Sequence, residues 1–203
     1  DLGDVEPTLD NVPLSHHLLN LIASGLCRTP AEIRDVLLAS YTGVMHWQGG
    51  EREKEFSRKL EEGLEHCLTG GLVAKGKRGL EATPLGKLAA AKGITVDTAI
   101  EMASFIRNNA ERADSVNPFE VIWCLSGTEC GEAIYFNLAT PESRSGDYPQ
   151  LLQQRLARLP RSAQERVQQD IAGMQSYESI KRMKKALLLY DWGSGMATRR
   201  IET

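Results

Sequence analysis

The sequence has no long hydrophobic run. One of its longest apolar stretches covers only residues 186–189, whereas a helix that crosses a bilayer needs about 20 apolar residues. The first segment, DLGDVEPTLDNVP, has neither the basic start nor the apolar centre of a secretory signal. We therefore predict a cytoplasmic protein without a membrane partner, and we interpret residues 1–13 as a linker.

Cysteine is scarce and widely spaced. The four cysteines stand at positions 27, 67, 124 and 130, and no two of them form a Cys-x-x-Cys pair. Such spacing gives little support for a zinc or redox site. Cys67 continues the apolar face of a predicted helix, so we expect it to lie in the core. We predict free thiols and no bound metal.

The chain also lacks the motifs of nucleotide chemistry. No G-x-x-x-x-G-K-[ST] segment is present, and Gly76 and Gly79 do not follow a buried strand that would build a phosphate cradle. His16 and His17 have no aspartate placed to orient either ring, so a catalytic triad is not indicated. We predict no catalytic residue and no cofactor for this chain, which is therefore not expected to be an enzyme by itself.

Charge is unevenly distributed along the chain. The 203 residues carry a net charge of −3, but residues 149–203 hold ten Lys/Arg against five acids, a net charge of +5. The rest of the chain therefore carries −8. This asymmetry favours an anionic partner for the C-terminal part. A basic helix face that is simply solvated explains the charge equally well.

Two helices joined by a short loop are predicted near the N-terminus. Apolar residues recur at helical spacing over 14–22, and Ser15 is placed to cap the start of that helix. The second helix begins with Thr29 as the N-cap, Pro30 at the first helical position and Glu32 as the capping-box partner. The cap and the proline fix the start of the second helix, and this structural role is sufficient to explain the residues of the short loop.

A third, longer helix is predicted at about 51–68, after a glycine-containing loop at 43–50. Six glutamates in this helix outnumber its four Lys/Arg residues. Carboxylates repel phosphates, so the helix is a poor candidate for reading DNA. We therefore expect the two helices before it and their short loop to pack within the domain and not to contact nucleic acid.

The spacing of the hydrophobic residues changes after the third helix. Residues 72–75 and 80–83 alternate as two short strands around the turn at 76–79. Three helices followed by a hairpin is the element order of a winged helix, with the hairpin as the wing. We assign this domain to residues 14–92.

Residues 93–203 read as helical almost throughout. Asn117 and Pro118 begin one of these helices, a polar loop follows at 139–149, and a strong final helix covers YESIKRMKKALLLYDW. Trp123 and Trp192 lie beside apolar runs, so we expect both in the core, with stacking on bases as the alternative. The predicted fold is mainly α: a winged helix followed by a helical bundle.

Three strings, HLLNLIASGLCRTPAEIRDVLLASY, ATPLGKLAAAKGITVDTA and MKKALLLYDW, occur in this order. The series resembles the region after the motor domains in superfamily-two helicases of the superkiller and archaeal DNA-repair type. The resemblance runs from about residue 6 to 203, although little is recognised at 111–173. It implies a winged helix for the first two strings and a helical bundle for the third.

The resemblance implies a non-catalytic C-terminal accessory fragment of an ATP-dependent DNA or RNA helicase. Its partners are then the motor domains in cis and single-stranded nucleic acid, held weakly through the backbone. ATP and Mg belong to those motor domains. The abrupt ends DLGDVEP and RRIET indicate an excised fragment that stops before the base-stacking helix. The alternatives are a free-standing winged-helix regulator that binds duplex DNA and, third, a protein-interaction bundle.

Basic residues form the candidate nucleic-acid contacts. They fall into three groups, at the hairpin tip, near the exit of a bundle helix, and along the final helix. The candidates are Lys75, Lys77 and Arg78; Arg155, Arg158 and Arg161; and Lys181, Arg182, Lys184 and Lys185. Because apolar stripes demand burial on the opposite side of each helix, we expect the charges in the two helical groups to point outward together. Solvated surface charge is the alternative for every group.

Overall fold

Helices make up most of the described chain in the computed structural model. The structure describes residues 9, 13–135, 147–172 and 176–197. Within these ranges there is one two-stranded antiparallel sheet, so the predicted mainly α class is confirmed. The predicted linker at 1–13, the polar loop at 139–149 and the chain after residue 197 lie largely or wholly outside the described residues.

The chain divides into two compact units between Ile100 and Glu101, later than the predicted change of domain at residues 92–93. The N-terminal unit contains α1 (Leu14–Ala23), α2 (Pro30–Leu38), a π-helical turn (Gly43–Trp47), α3 (Gly50–Thr69), β1 (Val73–Gly76), β2 (Gly79–Ala82), α4 (Pro84–Lys92) and the first part of α5 (Val96–Asn108). The division falls within α5 because Val96 and Ala99 are buried in the N-terminal core.

The C-terminal unit continues from the second part of α5. It contains a 3₁₀ helix (Ala110–Ser115), α6 (Pro118–Ser126), α7 (Glu129–Ala133), α8 (Asp147–Leu156), α9 (Arg161–Ile171) and α10 (Ser176–Gly193). Phe119 and Trp123 of α6 are fully buried at its centre. Apolar residues of α8, α9 and α10 complete this core. No helix of the described residues combines the length and apolar content needed to cross a bilayer.

The loop between α1 and α2 is held by the predicted capping box. The Glu32 backbone N–H donates to Thr29 Oγ1 at 3.2 Å, and the Thr29 N–H donates back to Glu32 Oε2 at 3.1 Å. The same carboxylate accepts a 2.6 Å bond from the Arg28 N–H. This bond from Arg28 is the largest cause that lowers the pKa of Glu32. Cap and proline together set the start of α2, as the sequence predicted.

Thr29→Ala is expected to lower the free energy of unfolding by about 1 kcal/mol, because the N-cap acceptor is lost. Urea denaturation measures the change, and Thr29→Ser, which keeps the hydroxyl, is the matched control. Nucleic-acid affinity should stay the same in both variants. A fall in affinity at unchanged stability would instead make this loop a nucleic-acid contact.

The predicted capping role of Ser15 is wrong. Helix α1 begins one residue earlier, at Leu14, with Pro13 at the N-cap position. Ser15 is 5% exposed, and its carbonyl accepts a 3.4 Å hydrogen bond from Cys67 Sγ. Tight packing of α1 on α3 therefore draws Ser15 into the interior. The predicted burial of Cys67 is confirmed, and burial raises the pKa of its thiol to about 12.

The segment predicted as a glycine-containing loop forms the π-helical turn. Trp47 at its end is 3% exposed and stacks on Phe56 of α3 at 4.6 Å between ring centroids. Burial of the large Trp47 side chain stabilises this short segment. Neither the spacing nor the glycines of residues 43–50 signalled that contact.

The predicted hairpin is present, with its strands at 73–76 and 79–82. Val73 pairs with Ala82 and Gly76 with Gly79, which leaves Lys77 and Arg78 as the turn. Residue 72 lies outside the strand but is fully buried. The hairpin is attached to the α1–α2 loop, since the Leu80 N–H donates to the Arg28 carbonyl at 2.7 Å.

Candidate nucleic-acid interface

Helix α3 neutralises most of its own basic charge. Lys54, Arg58 and Lys59 each form an ion pair with a glutamate three or four residues away. A further glutamate, Glu53, pairs with Arg34 of α2. The uncompensated charge on this helix is therefore mainly negative, which disfavours contact with phosphates. The geometry supports the packing role expected for α3.

The hairpin tip carries three exposed cations. Lys77 and Arg78 form the turn, and Lys75 lies opposite Leu80 in the strand register. In the described part of the chain none of the three cations forms an ion pair. These side chains are accessible to a phosphate backbone.

The arginines near the end of α8 do not form one set. Arg155 forms an ion pair with Asp191 of α10, and Arg161 pairs with Glu165 one turn along α9 at 2.8 Å. Arg158, in the turn after α8, is exposed. Two of the three predicted contacts are thus engaged by carboxylates within the C-terminal unit, which weakens this group as a backbone contact.

The four cations of α10 differ sharply in exposure. We expected Lys181, Arg182, Lys184 and Lys185 to point outward together. That expectation is wrong for Lys185, which is 5% exposed, and for Arg182, which packs on Trp123. The physical reason is that Arg182 packs on Trp123 of α6, and that the Lys185 ammonium reaches the Gly131 carbonyl of α7. Lys181 and Lys184 are partly exposed.

Arg182 is held against α6. Its guanidinium lies 4.2 Å from the centre of the Trp123 ring, and Nη2 donates to the Trp123 carbonyl at 2.9 Å. The guanidinium also fills the space beside Gly127, where a β-carbon would lie 2.3 Å from Arg182 Cζ. Burial lowers the pKa of Arg182. Its Nε is buried and has no hydrogen-bond partner within the described residues.

Lys185 is held by the end of α7. Its Nζ donates to the Gly131 carbonyl at 2.6 Å and to the Ile134 carbonyl at 3.4 Å. Burial is the largest cause that lowers the pKa of Lys185, and the charge of Lys181 lowers it further. A lysine placed in this way is not available on the open surface.

A stripe of two aromatic side chains, two lysines and one leucine runs along the outer face of α10. We call it the α10 stripe; its members are Tyr177, Lys181, Lys184, Leu188 and Trp192. Their spacing of three to four residues places them on one side of a helix. Trp192 is 67% exposed and Tyr177 is 42% exposed. The predicted core position of Trp192 is therefore wrong, whereas that of Trp123 is confirmed.

The sequence contained a signal for this stripe. Trp192 stands eleven residues after Lys181, about three helical turns, whereas the buried Met183 and Leu187 lie on the opposite face. Adjacency to the run at 186–189 was a poorer guide than helical phase. A helical projection would have placed the tryptophan with the lysines.

Comparisons with known proteins do not identify a family. No family model matches the sequence, and no curated protein is significantly similar to it. Among the described residues, no three His, Cys, Asp or Glu side chains are grouped so that they could hold a metal ion. The function is therefore inferred from the side chains of the two units themselves.

Proposed function

We propose that this chain is the non-catalytic accessory region of an ATP-dependent DNA or RNA helicase, and that its C-terminal unit guides single-stranded nucleic acid. The observation that carries the proposal is the α10 stripe, in which two exposed aromatic rings flank two lysines. Proteins that bind single strands without sequence preference combine cationic grooves with aromatic rings on which bases stack.

The stripe is suited to a single strand because its rings offer stacking surfaces. Tyr177 and Trp192 are fifteen residues apart, about 22 Å along a helix. The lysines between them are placed to neutralise phosphates of a strand that follows the helix. A duplex covers the faces of its bases, so it gains only the electrostatic part of this interaction.

We assign the N-terminal unit to a winged helix that couples the motor domains to the bundle. Its element order, three helices followed by an antiparallel hairpin, supports this assignment. The ion pairs of α3 leave little positive charge on this helix for contact with a DNA groove. This favours a coupling role over DNA recognition. ATP and Mg are then held by the motor domains in cis, and this chain contributes no group to their binding.

The experiment is a titration of fluorescently labelled single strands with the purified chain, followed by anisotropy at several salt concentrations. Binding should be weak, independent of sequence and steeply weakened by salt. Trp192→Ala should lower the binding free energy by about 1–3 kcal/mol through the lost stacking surface. Trp192→Phe should retain part of it. Tyr41→Ala, which removes a 52% exposed aromatic ring from the N-terminal unit, is the matched control.

The same titration separates the alternatives. Tight, sequence-selective binding to duplex DNA that is unaffected by Trp192→Ala would favour the free-standing winged-helix regulator. Absence of binding to both single strands and duplexes would favour the protein-interaction bundle. If the three variants bind with the same salt-dependent affinity, nonspecific attraction between charges explains the binding, and stacking on Trp192 does not contribute.

A further inference from the structure

A polar cleft lies where α10 meets α6 and α7. Its volume is about 280 Å³, and we call it the α10 cleft. The lining consists of three cations, two acids and one hydroxyl: Lys181, Arg182, Lys185, Glu132, Glu178 and Ser126. The cleft thus gathers three of the predicted nucleic-acid contacts into one concave site instead of an open face.

The two acids of this cleft balance only part of its positive charge. None of Lys181, Arg182 and Lys185 lies within ion-pair distance of a carboxylate in the described residues. Glu132 and Glu178 are exposed. Ser126 directs its hydroxyl to the Trp123 carbonyl at 2.8 Å. The cleft therefore carries an excess of one positive charge on its own side chains.

This excess is energetically unfavourable as it stands. A buried cation without an anionic partner loses hydration that carbonyl hydrogen bonds restore only in part. Burial is the largest cause that lowers the pKa of Lys185, and Lys181 lowers it further, whereas Glu132 and Glu178 oppose this change without cancelling it. A bound anion would relieve both effects.

The donor groups match an oxyanion. The buried Arg182 Nε has no partner in the described structure, and Lys181 carries an ammonium group at the same cleft. Lys185 makes one short bond, to Gly131, and one long one, to Ile134. Arginine and lysine beside each other supply charge-assisted hydrogen bonds, which are the strong kind for phosphate oxygens.

We propose that the α10 cleft binds one phosphate group, and that in the working protein this group belongs to the backbone of the single strand on the α10 stripe. The source of the phosphate rests on the proposed function, whereas the oxyanion site does not. Lys181 belongs to both the stripe and the cleft, so a strand stacked on the stripe passes the mouth of the cleft. Glu132 and Glu178 oppose entry of further negative charge, which limits the cleft to a single phosphate.

The first test is a titration of the ¹⁵N-labelled chain with inorganic phosphate, at ionic strength held constant with chloride. We expect saturable shifts of the Gly127 and Gly131 amides and of the Trp123 indole N–H, which border Arg182 and Lys185. Lys181→Gln should weaken phosphate binding at least tenfold. Lys184→Gln removes the same charge from the same helix outside the cleft and should change the affinity less than twofold. Glu178→Gln should strengthen binding.

The outcomes are distinct. Shifts that do not saturate, or an equal loss in Lys181→Gln and Lys184→Gln, would overturn the oxyanion site. Arg182→Lys provides a second check, because it keeps the charge but removes the guanidinium; unchanged affinity in this folded variant would also contradict the proposed donors.

The second test identifies the source of the phosphate. A single-stranded oligonucleotide should displace inorganic phosphate, and an uncharged methylphosphonate oligonucleotide of equal length should not. Saturable phosphate binding without competition from the charged strand would overturn the backbone assignment and leave a site for free phosphate compounds. Single-strand binding that depends on Trp192 but persists without any phosphate site would overturn this inference and leave the proposed function standing.

Discussion

Replacing Trp123 with alanine is expected to lower the free energy of unfolding of the C-terminal unit by about 3–5 kcal/mol. The side chain is fully buried and packs with Phe119 in the centre of the core. Its indole N–H donates to Asp170 Oδ2 at 2.8 Å. The substitution removes a large apolar volume and leaves that carboxylate without one of its donors. Urea denaturation followed by far-ultraviolet circular dichroism measures the loss.

Trp192→Ala is the matched control for this prediction. It removes the same side chain from the same unit, but at a position that is 67% exposed. Surface substitutions of this kind usually change stability by less than about 0.5 kcal/mol. Equal losses at the two positions would contradict the assigned core and, with it, the exposed stacking surface of the α10 stripe.

A double-mutant cycle of Trp123→Phe and Arg182→Met measures the coupling between these two side chains. Phenylalanine keeps a ring beneath the guanidinium, and methionine keeps an apolar stem without the charge. The cation–π contact contributes on the order of 0.5–2 kcal/mol, and because phenylalanine retains part of it, the expected coupling is the part that tryptophan adds. Additive effects would show that Arg182 is held by the Trp123 carbonyl alone.

The features that the sequence predicted well depend on a few neighbouring residues. The Thr29 and Asn117 capping boxes, each followed by proline, begin their helices where expected. The same local information located α3 within one residue at each end, and the hairpin strands within one residue. Caps, turns and helical periodicity act through bonds to residues three or four positions away. Such local interactions can be predicted from a single sequence.

The features that the sequence did not predict depend on contacts between distant segments. Lys184 and Lys185 are adjacent and identical, yet only Lys185 reaches the carbonyls of Gly131 and Ile134. No local pattern distinguishes the two lysines, because the difference comes from the position of α7 against α10. The predicted cap at Ser15 is wrong for the same reason, since burial against α3 overrides its preference for a cap.

The candidate site shows the consequence for function. The sequence predicted that four cations of α10 point outward together as candidate backbone contacts. The structure separates them into a stripe that includes two exposed rings and a cleft that buries one lysine. Stacking and phosphate binding thus become two measurable properties, with Lys181 shared between them and Lys184 as its control.

Gly79→Ala is expected to lower the free energy of unfolding of the N-terminal unit by about 3 kcal/mol. The φ angle of Gly79 is +112°, which an alanine adopts only with strain on the order of 1–3 kcal/mol. An added β-carbon would also lie 2.4 Å from the Arg28 carbonyl oxygen. That oxygen accepts the Leu80 N–H, so the clash removes the bond between the hairpin and the α1–α2 loop.

Gly49→Ala isolates the contribution of that contact. Gly49 has a φ of +91°, and a β-carbon there would meet no atom within 4 Å. Gly49→Ala should therefore lose only the stability that corresponds to backbone strain. The difference in unfolding free energy between the two variants then measures the effect of the close approach to Arg28. Urea denaturation gives both losses, and hydrogen exchange of the Leu80 amide should accelerate in Gly79→Ala alone. Equal losses with unchanged exchange would show that the bond from Leu80 to Arg28 survives the substitution, and that the close approach of Gly79 to Arg28 adds nothing to the backbone strain.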